Sequence, residues 1–433
     1  MDITNEKSKV SKQRFLLFKR RFGPLFVTQF LGAFNDNFFK NALIVLFTFV
    51  MASSLGETLV LINLASALFI LPYFLFSPIA GQLADKYEKS SLIQTIKLSE
   101  IVIMALAALA LWLQSVYAML FVLFLLGTQS TFFGPTKYSL LPQHLSREEL
   151  LDGNAYVEGG TFLAILVGTL FGGWLAADSS TREWLGYGGV FIAFIGWLAS
   201  KGIPEAPSAA ANLKLDWNLY RGIVGLLSEV RLAGVSSIIA YISWFWLLGA
   251  LFLTQLAPWA QDILKADGRL ATLLIAIFSI GIAIGSIWCS YLAEKHSSLK
   301  VAIAGGFGMS VFTLWMALIP EQTSAIDSIR MLPKSLVGWS VIISLGGLSV
   351  CAGLYTVPLY TLLQSDSPER VRSRVIAALN VTNSIYIFGG SILAVGLLSV
   401  GLSISMLFGL LGFINFVVMI MLQGHAAGRV LRN

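Results

Sequence analysis

Charge is what this chain has least of. Only 12% of its 433 residues are Asp, Glu, Lys or Arg, while 56% are hydrophobic and the mean hydropathy is +0.79. A soluble domain carries about 25% charged residues. The shortage excludes a water-soluble globular protein and predicts an all-α membrane protein built from spans of about 20 residues. Cysteine is nearly absent too. Cys289 and Cys351 both lie in apolar stretches, and so read as small buried hydrophobes rather than a disulfide or a metal site. The three histidines, His144, His296 and His425, are scattered near span ends. No metal catalysis and no cofactor are expected. A cleavable signal peptide is not expected either: the first twenty-odd residues are basic and polar, and the first apolar run is a full span.

What is present is long apolar segments. Twelve spans are predicted, near 24–50, 58–80, 91–114, 117–141, 155–177, 184–200, 232–256, 270–290, 299–319, 337–359, 375–397 and 402–423. With the N-terminus inside, 21 of the 29 Lys and Arg residues fall in cytoplasmic segments and five outside (Arg182, Lys265, Arg269, Arg330 and Lys334). That asymmetry predicts two cytoplasmic termini. The net charge of +6 then answers to topology and anionic lipid, with no nucleic-acid partner required.

Residues 201–231 form the longest inside connection. It opens with Pro204 and Pro207 and continues LKLDWNLYRGIVGLLSEVR, the pattern of an amphipathic surface helix or of a plain helical linker. It divides the chain into a basic N-terminus (1–23), a first half (24–200) and a second half (232–433). An internal repeat supports the division. Leu83-Ala84-Asp85-Lys86 follows span two and Leu292-Ala293-Glu294-Lys295 follows span eight. Tyr138-Ser139-Leu140-Leu141 after span four is matched by Tyr360-Thr361-Leu362-Leu363 after span ten. Two parallel six-helix halves resemble the architecture of the major facilitator superfamily, with a site between them near the midplane.

The loop after span two reads Gly81-Gln-Leu-Ala-Asp85-Lys86-Tyr-Glu88-Lys89, and resembles the signature loop of that superfamily. Gly81, Asp85, Lys86 and Lys89 match, and Glu88 replaces the second glycine. The resemblance implies a gating role, with the aspartate set against a helix N-terminus of the other half, where the helix dipole favours an anion. Arg370 and Arg374, in the basic connection between spans ten and eleven, are the remaining gate candidates.

Three further segments narrow the resemblance: Gln29–Lys40 (QFLGAFNDNFFK), Phe133–Pro142 (FGPTKYSLLP) and Leu150–Phe162 (LLDGNAYVEGGTF). Together they resemble the lysophospholipid transporter family, in detail over residues 24–175. The family implies movement of lysophospholipids from the outer to the inner leaflet of the bacterial inner membrane by alternating access. It further implies lipid remodelling through a linked acyltransferase, and a monomer.

The residues themselves point to a polar ligand. A charge near the bilayer centre costs about 2.5–3.5 kcal/mol or more, yet span one carries Asn35, Asp36, Asn37 and Lys40. Asp36 and Lys40 are four apart and share a face, which allows them to pair. Lys97 and Glu100 lie in span three and read as side chains snorkelling to headgroups. Lys137 ends span four as an anchor or a ligand. Asn154 opens span five, one turn before Glu158. Spans seven to twelve carry no charge away from their ends. The expectation is a headgroup site in the first half: Lys40 on phosphate, Asp36 or Glu158 on an ammonium or a proton, with Asn35, Asn37, Asn154 and Lys137 beside them. The alternative is a proton-coupled carrier of the same fold for a soluble amphiphile, such as a siderophore or drug. A third reading, an enzyme or an assembly subunit of lipid remodelling, has only His144-Leu-Ser-Arg-Glu-Glu149 behind it. That string resembles an acyltransferase motif but places Glu149 where the aspartate belongs, so no enzyme is expected.

Overall fold

The computed structural model of the protein describes residues 16–51, 54–322 and 332–430; most of the basic N-terminus lies outside them. Thirteen α-helices occur among the described residues. They are α1 (Gly23–Leu46), α2 (Leu55–Lys86), α3 (Lys89–Trp112), α4 (Val116–His144), α5 (Arg147–Ala177) and α6 (Glu183–Ser200), then α7 (Leu219–Leu232). The second series is α8 (Ser236–Leu264), α9 (Gly268–Lys295), α10 (Ser298–Ala317), α11 (Leu336–Asp366), α12 (Arg372–Ser399) and α13 (Ile404–Val430). Ten of them are long and apolar enough to cross a membrane. α1 and α6 fall outside that set, α1 because Asn35, Asp36, Asn37 and Lys40 interrupt it. A π-helical turn, Phe47–Met51, extends α1.

Local chemistry sets the helix ends. Ser54, Ser115, Asp267 and Ser297 cap α2, α4, α9 and α10 by accepting a backbone N–H. Ser146 and Glu149 form a full capping box on α5, so two otherwise orphaned donors are satisfied at once. Pro72, Pro78, Pro135, Pro142, Pro258 and Pro358 lie inside helices, as neighbours in a membrane bundle permit.

The chain divides into two compact units. The first comprises Met1–Gly153, Ala164–Ser236 and Gln364–Ser384; the second comprises Asn154–Leu163, Ser237–Leu363 and Ile385–Asn433. The units therefore cut across the sequence halves. The end of α11 and the start of α12 belong with the first-half helices, and residues 154–163 of α5 belong with the second-half ones. In the first unit α1 and α5 approach until backbone meets backbone: a side chain on Gly168 or Gly172 would strike the main chain of Phe34 or Phe38. Small residues at such crossings are how membrane helices gain contact where water supplies no drive. In the second unit Phe252 stacks on Phe408 at 4.7 Å, and Trp244 donates to Asn415 at 2.8 Å.

Candidate functional site

A buried polar cluster lies in the first unit, assembled from α1, α3, α4 and α6. Lys97 and Glu100 on α3 form an ion pair at 2.6 Å, each side chain only 1% exposed. Two amides complete the Glu100 carboxylate: Asn35 of α1 donates to one oxygen at 3.1 Å, and Gln129 of α4 donates to the other at 3.1 Å. Asn35 is also placed to donate to the Gly189 carbonyl of α6 at 3.3 Å. The Lys97 ammonium sits over the Phe133 ring at 4.6 Å and fills the space left by Gly32, where any side chain would strike it. Lys97 and Glu100 do not snorkel. They are held inside because the two charges and the two amides satisfy one another, which lowers the cost of burial.

Asp36 and Lys40 share a face of α1 but form no ion pair. Asp36 turns to α4, where the Ser130 hydroxyl lies 2.5 Å from Oδ2. Lys40 turns to α2 and lies over the Phe69 ring at 5.4 Å. Among the described residues Lys40 has no anionic partner within ion-pair distance, and the buried Oδ1 of Asp36 has no hydrogen-bond partner. An unsatisfied buried acceptor costs about 1–3 kcal/mol, so this pair is open to a ligand carrying both charges. Asn37 spends its amide on the Ala33 carbonyl of its own helix at 2.8 Å. Lys137 is half-buried, with its ammonium 4.6 Å from the Tyr138 ring centroid.

The last turns of α2 meet the start of α12. Asp85 accepts the Ser373 N–H at 3.0 Å and the Arg374 Nε–H at 3.0 Å. An anion here complements the positive end of a helix. A side chain at Gly81 would meet the Ala377 Cβ at 2.7 Å and the Arg374 Cα at 2.9 Å, so glycine sets that approach. Arg374 also pairs with Glu229 of α7, and its Nη2 donates to the Arg370 carbonyl at 3.0 Å. Glu88 does what the missing glycine would not: it caps α3 through Ser90 and Ser91 and accepts the Ala206 N–H at 2.7 Å. Lys89 is buried against the same linker, its N–H on the Ala206 carbonyl at 2.9 Å. Lys86 lies over Tyr87 at 5.8 Å, and the Arg370 side chain is exposed.

The family model described as Major Facilitator Superfamily matches residues 25–391. The chain belongs to the Major Facilitator Superfamily. Within the superfamily it is similar to a protein named lysophospholipid transporter from Pectobacterium carotovorum, 24% identical across 88% of this chain and 87% of the relative. A protein of the same name from Escherichia coli strain SE11 is 24% identical across 82% of this chain and 83% of its own length. Two solved structures share the fold. The human organic anion transporter MFSD10 superposes with a TM-score of 0.75 at 12% identity, covering 93% of this chain and 99% of that one. The transporter FucP in its outward conformation gives 0.70 at 14% identity, with 93% and 97% covered.

In the second unit of this superfamily member, Asn154 donates to the Thr361 hydroxyl at 3.1 Å. Glu158 is fully buried one turn later, next to Gly159, whose missing side chain faces the Ala283 backbone. His144 and Glu149 do not meet as a catalytic pair. The His144 ring contacts the carbonyls of Arg21 and Glu205 at 3.2 and 3.3 Å, while Glu149 serves the capping box and Arg21. Sequence reasoning passed over Gln129 and Ser130. The signal was two adjacent polar residues in the middle of an apolar span, within LLGTQSTFFGP.

Proposed function

We propose that the protein carries lysophospholipids across the bacterial inner membrane, from the outer to the inner leaflet, by alternating access. The observation that carries this reading is the open pair on α1: among the described residues Lys40 has no anion within ion-pair distance and Asp36 Oδ1 has no donor, one helical turn apart. The phosphate and the ammonium of a zwitterionic headgroup complement them one to one. The relatives named lysophospholipid transporter, matched along most of both chains, support the same substrate class. On this reading Asn35 holds the neighbouring Glu100, and the second half, poor in charge, receives the acyl tail with Asn154 and Glu158 at its polar margin. Lys137 guides headgroups at the end of α4. Gly81, Asp85, Lys86, Lys89, Arg370 and Arg374 form the inner gate, both termini are cytoplasmic, and a monomer supplies lysolipid to an acyltransferase for remodelling.

One observation favours a second reading, a proton-coupled carrier for a soluble amphiphile. The Ser130 hydroxyl has one hydrogen and faces two acceptors, Asp36 Oδ2 at 2.5 Å and Gln129 Oε1 at 3.2 Å. A proton on Asp36 completes that chain. Reconstitution decides between the two. Vesicles holding the full chain and fluorescent lysophosphatidylethanolamine should show inward movement far above that of protein-free vesicles, without an imposed pH gradient. No movement above the protein-free rate, with or without a gradient, overturns the lysolipid reading and leaves the soluble-amphiphile one; movement only under a gradient keeps the lysolipid substrate and adds proton coupling.

A further inference from the structure

α7 has three faces. The first packs on α2: a side chain on Gly222 would meet the Pro78 Cβ at 2.8 Å, and Leu226 and Val230 are buried. The second is apolar and open. Tyr220, Val224 and Leu227 follow a helical stripe and are 77, 49 and 53% exposed, with Trp217 just before the helix at 65%. The third is polar and exposed, with Asn218, Arg221 and Ser228. A helix with one face on protein, one apolar and one polar suits the boundary where protein, lipid and water meet. Arg231 extends the apolar stripe by one turn, and Lys214 precedes it. Both are exposed, and neither forms an ion pair among the described residues. That is the charge complement of anionic headgroups.

The same helix reaches the gate. Glu229 pairs with Arg374, whose Nε holds Asp85 at 3.0 Å. Beside them lies an open cavity lined by Lys214, Glu229, Leu232, Arg370 and Arg374, so the guanidinium has room to move if Glu229 lets go. The linker before α7 is strapped to the same end of α2. Asp216 donates its N–H to Gln82 at 2.8 Å, and Ala210 donates to the Asp85 carbonyl at 2.8 Å.

We propose that α7 seats its Trp217–Tyr220–Val224–Leu227 face in the headgroup–acyl boundary of an anionic leaflet, and that this seating, through Glu229, keeps Arg374 on Asp85. α7 is then a lipid-sensing strut on the gate, whatever substrate the transporter carries. Hydrogen exchange on the full chain in nanodiscs tests it, comparing phosphatidylglycerol with phosphatidylcholine. In the wild type, residues 217–232 and 372–377 should both exchange about 10-fold more slowly in phosphatidylglycerol. The double substitution Val224→Asn and Leu227→Asn should remove the lipid dependence from both segments, and the milder Arg231→Gln should weaken it. Glu229→Gln should keep it at 217–232 and lose it at 372–377. The proposal is overturned if exchange is the same in both lipids, or if residues 372–377 stay lipid-dependent without Glu229. It is equally overturned if protection follows the number of protein copies per disc, which assigns the face to a second copy.

Discussion

Lys97 and Glu100 lie one turn apart on α3 and form an ion pair at 2.6 Å away from any solvent. Breaking a buried pair by removing one partner costs about 3–5 kcal/mol, because a bare charge is left behind. Lys97→Met is therefore expected to destabilise the protein by about that amount. The double variant Lys97→Met/Glu100→Gln should recover a large part, since both buried charges are gone and the new amide oxygen still accepts from Asn35 or Gln129. Thermal unfolding of the full chain in detergent checks this, and costs that simply add would refute the coupling.

Lys40 leads to a different expectation. Its ammonium holds only a ring contact with Phe69 among the described residues, so truncation removes little from the fold. Lys40→Ala should leave the unfolding temperature within about 2 °C of the wild type, yet slow lysolipid movement at least about 10-fold, or 1.4 kcal/mol. Lys40→Arg should retain most of the rate. Equal rates for wild type and Lys40→Ala in reconstituted vesicles would remove Lys40 from the headgroup site.

Much of this was legible in the sequence, for reasons that particular residues show. The spans were readable because polar residues such as Glu88, Ser115, Ser146 and Asp267 cluster at their ends, and α7 because its pattern is amphipathic. The isolation of Asp36 from Lys40 was not readable. Spacing puts them on one face, but Ser130 and Phe69, which turn them apart, come from other helices. Lys97 and Glu100 misled for the same reason: hydropathy placed them near a span end, while Asn35, Gln129 and Gly32 hold them inside. That residues 364–384 pack with first-half helices was legible only through the resemblance, which set Asp85 against a helix N-terminus of the other half; local pattern could not give it, because the contact spans nearly 300 residues, from Asp85 to Ser373.

Close packing of α1 on α5 makes a paired prediction. A methyl at Gly172 would strike the Phe38 carbonyl, whereas one at Gly225 on the open side of α7 meets nothing within 4 Å. Gly172→Ala should cost about 1–3 kcal/mol as the two backbones are pushed apart. Gly225→Ala should be neutral or stabilising by about 0.5–1 kcal/mol, because alanine is the better helix residue. Unfolding curves for the two variants should move in opposite directions or differ by at least the first amount, and matching curves would contradict the α1–α5 contact.

Glu88 gives the pH prediction. Burial pushes its carboxyl upward, but the N–H groups of Ala206, Ser91 and Ser90 outweigh that and hold it at about 2, below the ordinary 4.5. A depressed carboxylate stabilises the folded state fully above the unfolded value, and the contribution is lost as pH falls from 4.5 towards 2. The clasp between the α2–α3 loop and the linker should therefore hold from neutral pH down to about 5 and loosen below 4.5. Hydrogen exchange at residues 203–210, corrected for intrinsic rates, should accelerate through that window in the wild type. In Glu88→Gln it should start faster at neutral pH and show no such step, because the neutral amide has no charge to lose. A wild-type linker still fully protected at pH 2 would mean that Glu88 is not what fastens it.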